Sequence, residues 1–193
     1  VSLFDGRFSD ALHRARALCW RQLRPNQLVE QRQQRGLAAG ANYQWVPNGM
    51  LSVTQKRARD YAEADPVHRR VLPIGLEHPT VLASIVRVAQ SLPIVPDIVW
   101  SVGSSGTLSR GLQLAWPNAE VHIVSVGHRM SDRERGRATV HLSPYKFDKP
   151  VKGADVPPFP SAPTYDAKAW SVLQRWRQET NPSGTILLWN VAD

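Results

Sequence analysis

Residues 96–127 read PDIVWSVGSSGTLSRGLQLAWPNAEVHIVSVG, and this stretch decides the fold. Asp97 to Val102 is an apolar run of strand length, built largely from β-branched and aromatic side chains. Gly103-Ser104-Ser105-Gly106-Thr107 interrupts it with turn residues. Leu108 to Trp116 then carries helical spacing, and Val121 to Val126 is a second apolar strand run. Two buried strands joined through one helix make a β-loop-α-β unit, which requires a parallel pair and favours a right-handed crossover.

The loop has a specific physical meaning. Glycines let the backbone approach an anion closely, consecutive N–H groups can point at it, and the following helix adds its positive end. Ser104, Ser105 and Thr107 can each donate a hydroxyl hydrogen bond. No Gly-Lys-Ser/Thr follows, and the GxGxxG spacing is missing, so neither a nucleoside-triphosphate loop nor a dinucleotide fingerprint is present. A phosphate monoester is the guest that fits. The bland reading is a tight turn whose serines only cap the helix.

Working outward, strands continue to alternate with helices. Val1 to Phe4 reads as a strand, and a helix capped by Ser9 or Asp10 runs to about Leu23, with Cys19 on its buried face. Gln27 to Ala39 and Met50 to Ala64 read as helices on either side of a strand at Tyr43 to Val46. Val71 to Ile74 reads as a short strand and Pro79 to Leu92 as an amphipathic helix. Residues 127–163 are poor in regular pattern, with six prolines from Pro144 to Pro163. Tyr165 to Glu179 reads as the last helix and Thr185 to Trp189 as the last strand. The fold class expected is therefore α/β, a parallel sheet with flanking helices. Two domains are expected: an α/β segment over 1–75 and a phosphate-binding domain over 76–193.

Composition narrows the classes further. Of 193 residues 42% are hydrophobic and 21% charged, the balance of a soluble globular chain. No apolar run approaches the roughly 18 residues that span a bilayer, and residues 1–16 lack the pattern of a secretion signal. A single cysteine, Cys19, excludes an internal disulfide framework, so a cytoplasmic setting and no membrane partner are expected. The net charge of +8 comes from scattered arginines, and the densest stretch, Arg129 to Arg137, also holds Asp132 and Glu134. This favours anionic ligands in general and reads as a solvated segment rather than a nucleic-acid arm. His78, between a strand and a helix in Glu77-His78-Pro79, is a candidate acid or base and equally a helix cap. The other five histidines show no metal-ligand spacing.

Three segments, in order, resemble the fold-type II pyridoxal 5'-phosphate (PLP) enzymes, with a tryptophan synthase beta-like architecture seen here in part. Residues 96–127 look like the unit that holds the cofactor phosphate in that family. Pro163-Thr-Tyr-Asp-Ala-Lys-Ala169 resembles the Tyr-x-Gly-Lys-Ala segment of the branch containing aminocyclopropane-carboxylate deaminase and D-cysteine desulfhydrase. Gly184 to Ala192 resembles that branch's closing strand. A weaker likeness joins Arg35 to Arg59 to the small domain. The resemblance implies that Gly103, Ser104, Ser105, Gly106 and Thr107 bind the PLP phosphate. It implies that Tyr165 lies against the pyridine ring, with Asp166 near the ring nitrogen. It further implies that Ser9 and Asp10 approach the ring's hydroxyl side. Lys168 itself reads as a helix residue whose ammonium faces solvent.

The family's Schiff-base lysine comes early, before the first complete strand-helix pair, and this sequence begins beyond that point. Its lysines are Lys56, Lys146, Lys149, Lys152 and Lys168, and none stands in the matching context. Either a complementing N-terminal segment supplies the lysine, or the chain is a relative that binds a phosphate ligand without the chemistry. The first functional expectation is a PLP-dependent lyase or deaminase of an amino-acid-like substrate, or a lysine-lacking relative, associating with a copy or with the missing segment. The catalytic residue is unassigned, with Tyr165 and His78 as candidates. A phosphoribosyltransferase-like enzyme is the second expectation, although Trp100-Ser101-Val102 stands where that class places paired acids. A non-catalytic phosphate- or nucleic-acid-binding module is the third.

Overall fold

A computed structural model describes residues 16–20, 27–46 and 51–191 of the 193. The chain divides between Leu72 and Pro73 into two units. In the first, strand β1 (Arg16–Trp20) pairs in parallel with β2 (Asn42–Val46), Arg16 opposite Asn42 and Trp20 opposite Val46. A parallel pair needs a crossover, and helix α1 (Gln27–Ala38) supplies it. Helix α2 (Leu51–Glu63) follows, its exposed Lys56 paired with Asp60 at 2.8 Å. The expected helix through Leu23 is thus corrected over Arg16–Trp20, Cys19 included. A partner strand outweighs the local helical preference of Ala17 and Leu18. The readings for residues 1–15, with candidate site residues Ser9 and Asp10, lie outside the described residues.

The second unit opens with a turn, not the strand expected at Val71 to Ile74. Pro73 offers no N–H, Gly75 and Leu76 both have positive φ (68° and 54°), and Ile74–Leu76 closes a short 3-10 turn. Then come α3 (Pro79–Gln90), β3 (Ile98–Gly103), α4 (Thr107–Ala115), β4 (Glu120–Ser125), α5 (Asp132–Arg135), β5 (Thr139–Leu142), α6 (Lys168–Thr180) and β6 (Ile186–Trp189). The sheet order is β5-β4-β3-β6 and every pair is parallel. Central β3 is buried along its whole length, as a strand covered on both faces must be.

Alternation sorts the strand side chains between two cores. Val99, Val121 and Ile123 face α3 and α4, packing with Ile85, Ala89, Leu112, Ala115 and Trp116. Ile98, Trp100, Val102 and Val124 face α6, packing with Ala169, Leu173 and Trp176. Close approach of α3 and α4 depends on Gly111, where a Cβ would lie 2.5 Å from Ile85 Cγ2. Arg137 ties down the end of α4 and the turn after it, donating to the Gln113 carbonyl of the last helical turn at 3.4 Å and to the Trp116 and Ala119 carbonyls at 2.8 and 2.5 Å. Parallel strands joined by these crossovers place the N-terminal ends of α4 and α6 at one edge of the sheet, beyond the C-terminal ends of the strands. That is where open α/β sheets carry their ligands. No helix among the described residues is long and apolar enough to cross a membrane.

Candidate functional site

The Gly103–Thr107 loop leaves the C-terminal end of β3 and starts α4. Gly103 sits beneath β4, where a Cβ would lie 2.5 Å from Ile123 Cγ2 and 3.4 Å from Met130 Cε. Gly106 is the residue before the helix, at φ 75°, and its Cα is pressed against the backbone carbonyl of Glu134, so a side chain is excluded twice over. Ser104 and Ser105 are half-buried and Thr107 is buried. No side chain caps the helix at Gly106, and Ser105 Oγ lies 3.3 Å from Thr107 Oγ1. The first-turn N–H groups of α4 have no partner inside the helix and point toward the strand end.

A cavity of about 200 Å³ opens beside the loop, lined by Ser105, Glu77, Arg110, Ser131, Arg133 and Glu134. Glu77 is the hub of its charges: Oε1 lies 2.6 Å from Arg133 Nη2 and 3.3 Å from Arg110 Nη2. Arg110 Nε and Nη2 are enclosed and make no hydrogen bond, the contact to Glu77 being an ion pair without hydrogen-bond alignment. Glu134 is occupied otherwise. It accepts from the Ser131 N–H at 2.7 Å and from its hydroxyl at 2.8 Å, and lies 3.2 Å from His128 Nε2. The Ser131 donors, foremost its N–H, hold the Glu134 carboxyl below its ordinary value. Ser131 and Glu134 form a reciprocal capping box on α5, and this fixes the Glu134 carbonyl that Gly106 touches.

Tyr165 and Asp166 lie just before α6, on the opposite face of the sheet from α4. Tyr165 packs against the core cluster that β3 and β4 form with α6, and burial, with the Asp166 charge, pushes its phenol up to about 12. The phenol keeps its proton at neutral pH. Asp166 is buried. Lys168 corrects its expected exposure: it is fully buried, and Nζ donates to the carbonyls of Lys146 and Phe147 at 2.8 and 2.9 Å. Burial lowers its ammonium from the ordinary value, with Asp148 opposing. His78 is exposed and caps α3, Nδ1 accepting from the Thr80 N–H at 3.3 Å. The structure therefore brings Ser105 together with Glu77, Arg110, Ser131 and Arg133. Tyr165 and Asp166 stand on the other face, and His78 is at a helix cap.

Sequence reasoning missed the two arginines and Glu77, because no spacing links residues 77, 110 and 133. It also missed a buried ring stack on the α6 face. His122 Nδ1 lies 2.9 Å from His141 Nε2, and both rings stack on Trp100 at 4.4 and 4.7 Å. His122 Nε2 is 2.8 Å from Glu120 Oε1. No group of three or more potential metal ligands exists among the described residues.

The loop and cavity suit a phosphate monoester: a glycine cradle that no Cβ can fill, the Ser105 and Thr107 hydroxyls paired only with each other, a helix N-terminus and an arginine with unsatisfied N–H groups. No protein-family pattern matches the chain, and no curated protein matches it in sequence. In three dimensions it is similar to the crystal structure of an ACC deaminase homologue, with TM-score 0.67 and 12% sequence identity, over 91% of this chain and 64% of that one. The chain thus spans less than two thirds of that protein's length. The likeness establishes the fold, a mixed α/β architecture with a parallel sheet of the ACC deaminase type.

Proposed function

We propose that this chain carries the phosphate-gripping domain of a PLP-dependent lyase or deaminase acting on an amino-acid-like substrate, or of a relative without the Schiff-base lysine. The observation that carries the reading is the Gly103–Thr107 loop, closed to any side chain at Gly103 and Gly106, set at the C-terminal strand ends of a fold of this type. Ser104, Ser105 and Thr107 would donate hydroxyls to the phosphate, with the first-turn N–H groups of α4 behind them. Tyr165 and the buried Asp166 lie on the other face of the sheet from this cavity and are assigned no contact with the ligand. When bound, PLP supplies an electron sink for a carbanion of the substrate. Lys168 serves the fold by binding two carbonyls, and no lysine lines the cavity at the loop.

An absorbance titration with PLP, followed by borohydride and peptide mapping, tests this reading. A visible band fixed covalently to one peptide would mark an enzyme with a working lysine in this chain. Saturable binding that reduction does not trap, and that Ser105→Ala weakens, would mark the lysine-lacking relative. Absence of binding would refute both.

A further inference from the structure

We infer that Glu77 is a built-in competitor for the anion site at the Gly103–Thr107 loop: its carboxylate holds Arg110 and Arg133, and a phosphate monoester must displace it to bind. The inference rests on the phosphate reading of the loop and extends it, assigning two arginines to the ligand and a gate to the site. Both guanidinium groups meet the same oxygen, Glu77 Oε1, on the wall of the cavity that Ser105 also lines. The hold is incomplete. Arg110 keeps Nε and Nη2 enclosed without a hydrogen bond, whereas a phosphate offers three oxygens and can take a guanidinium in paired fashion. The Arg133 side of the contact is 79% exposed, so exchanging it costs little.

The segment bearing Glu77 is suited to release. Glu77 follows Gly75 and Leu76, and Leu76, at φ 54°, is a non-glycine residue in the left-handed region, a strained conformation that a displaced turn can shed. Gly75 rests directly on the Ser105 hydroxyl, so the turn touches the loop itself. Glu77 is partly exposed and can swing toward water. The other cavity carboxylate, Glu134, stays committed to Ser131. Removal of the Glu77 charge therefore leaves two arginines facing the loop. A site whose competent form is a minor fraction binds more weakly by that fraction.

Calorimetric titration of the full chain with PLP and, separately, with inorganic phosphate tests the gate in wild type, Glu77→Gln and Glu77→Asp, each first checked for folding by circular dichroism. Glu77→Gln is expected to bind both probes about tenfold more tightly than wild type. Glu77→Asp, with a retracted charge, should move the same way by less. The second variant keeps the test decisive if Glu77→Gln fails to fold. Unchanged or weaker binding in the folded variants, while wild type binds in a Ser105-dependent way, overturns the gate and leaves the phosphate loop standing. Absence of binding in wild type and variants alike overturns the phosphate reading and the gate with it.

Discussion

Gly106 and Lys168 show how much a single residue type decides here. Gly106 has positive φ and a carbonyl against its Cα, whereas Gly153 has positive φ (58°) in open space. Gly153→Ala should cost about 1 kcal/mol, the backbone penalty alone. Gly106→Ala should cost about 2 kcal/mol or more, because the Glu134 carbonyl must also move. Urea unfolding of the two variants separates these contributions, and equal losses would deny the contact its role. The need for glycine at 106 was legible in the sequence as part of a Gly/Ser loop. The burial of Lys168 was not, because its acceptors belong to a loop more than twenty residues away. Lysine in the first turn of α6 works against the helix dipole, so the two carbonyls are what justify it. Lys168→Met should lower stability by about 2 kcal/mol, since it strands both carbonyls. An unchanged urea midpoint would contradict this.

Among the elements, α3, β3, α4, β4, α6 and β6 were readable within a few residues from periodicity and turn chemistry. The strands β1 and β5 were not. Each is short, and each is a strand because a neighbour supplies its hydrogen bonds, information that local sequence lacks. Helix α5 went unread inside the charged run Arg129–Arg137, although its Ser131-x-x-Glu134 spacing is that of the capping box the structure forms. Once β5 stands beside β4, His141 meets His122 over Trp100. Burial, chiefly, lowers both imidazoles from their ordinary 6.5, with Glu120 opposing at His122 and the neighbouring His122 adding at His141. The neutral rings are thus favoured by folding. Their contribution is complete above about pH 6.5 and declines as the pH falls toward their lowered folded values. His141→Gln should flatten stability across that window. Urea midpoints measured from neutral to mildly acidic pH check this, and an equally steep dependence in the variant would place the titration elsewhere.

For the molecule, the sheet brings the loop, the two arginines and Glu77 to one edge while Tyr165 and Asp166 stand on the opposite face. Sequence made the loop visible because its chemistry is local. The arginine–glutamate cluster arises from three separate connections and could not be read in advance. The fold matches that of a longer protein over 64% of the latter's length, so the chain's own chemistry must be judged at the loop. The guest proposed for this loop is a phosphate group. The direct measurement compares PLP with pyridoxal, which lacks only the phosphate, in binding titrations of the same preparation. PLP should bind at least about tenfold more tightly, a single charge-assisted contact already being worth that much, and Ser105→Ala should narrow the difference. Equal affinity for the two compounds would contradict the phosphate assignment.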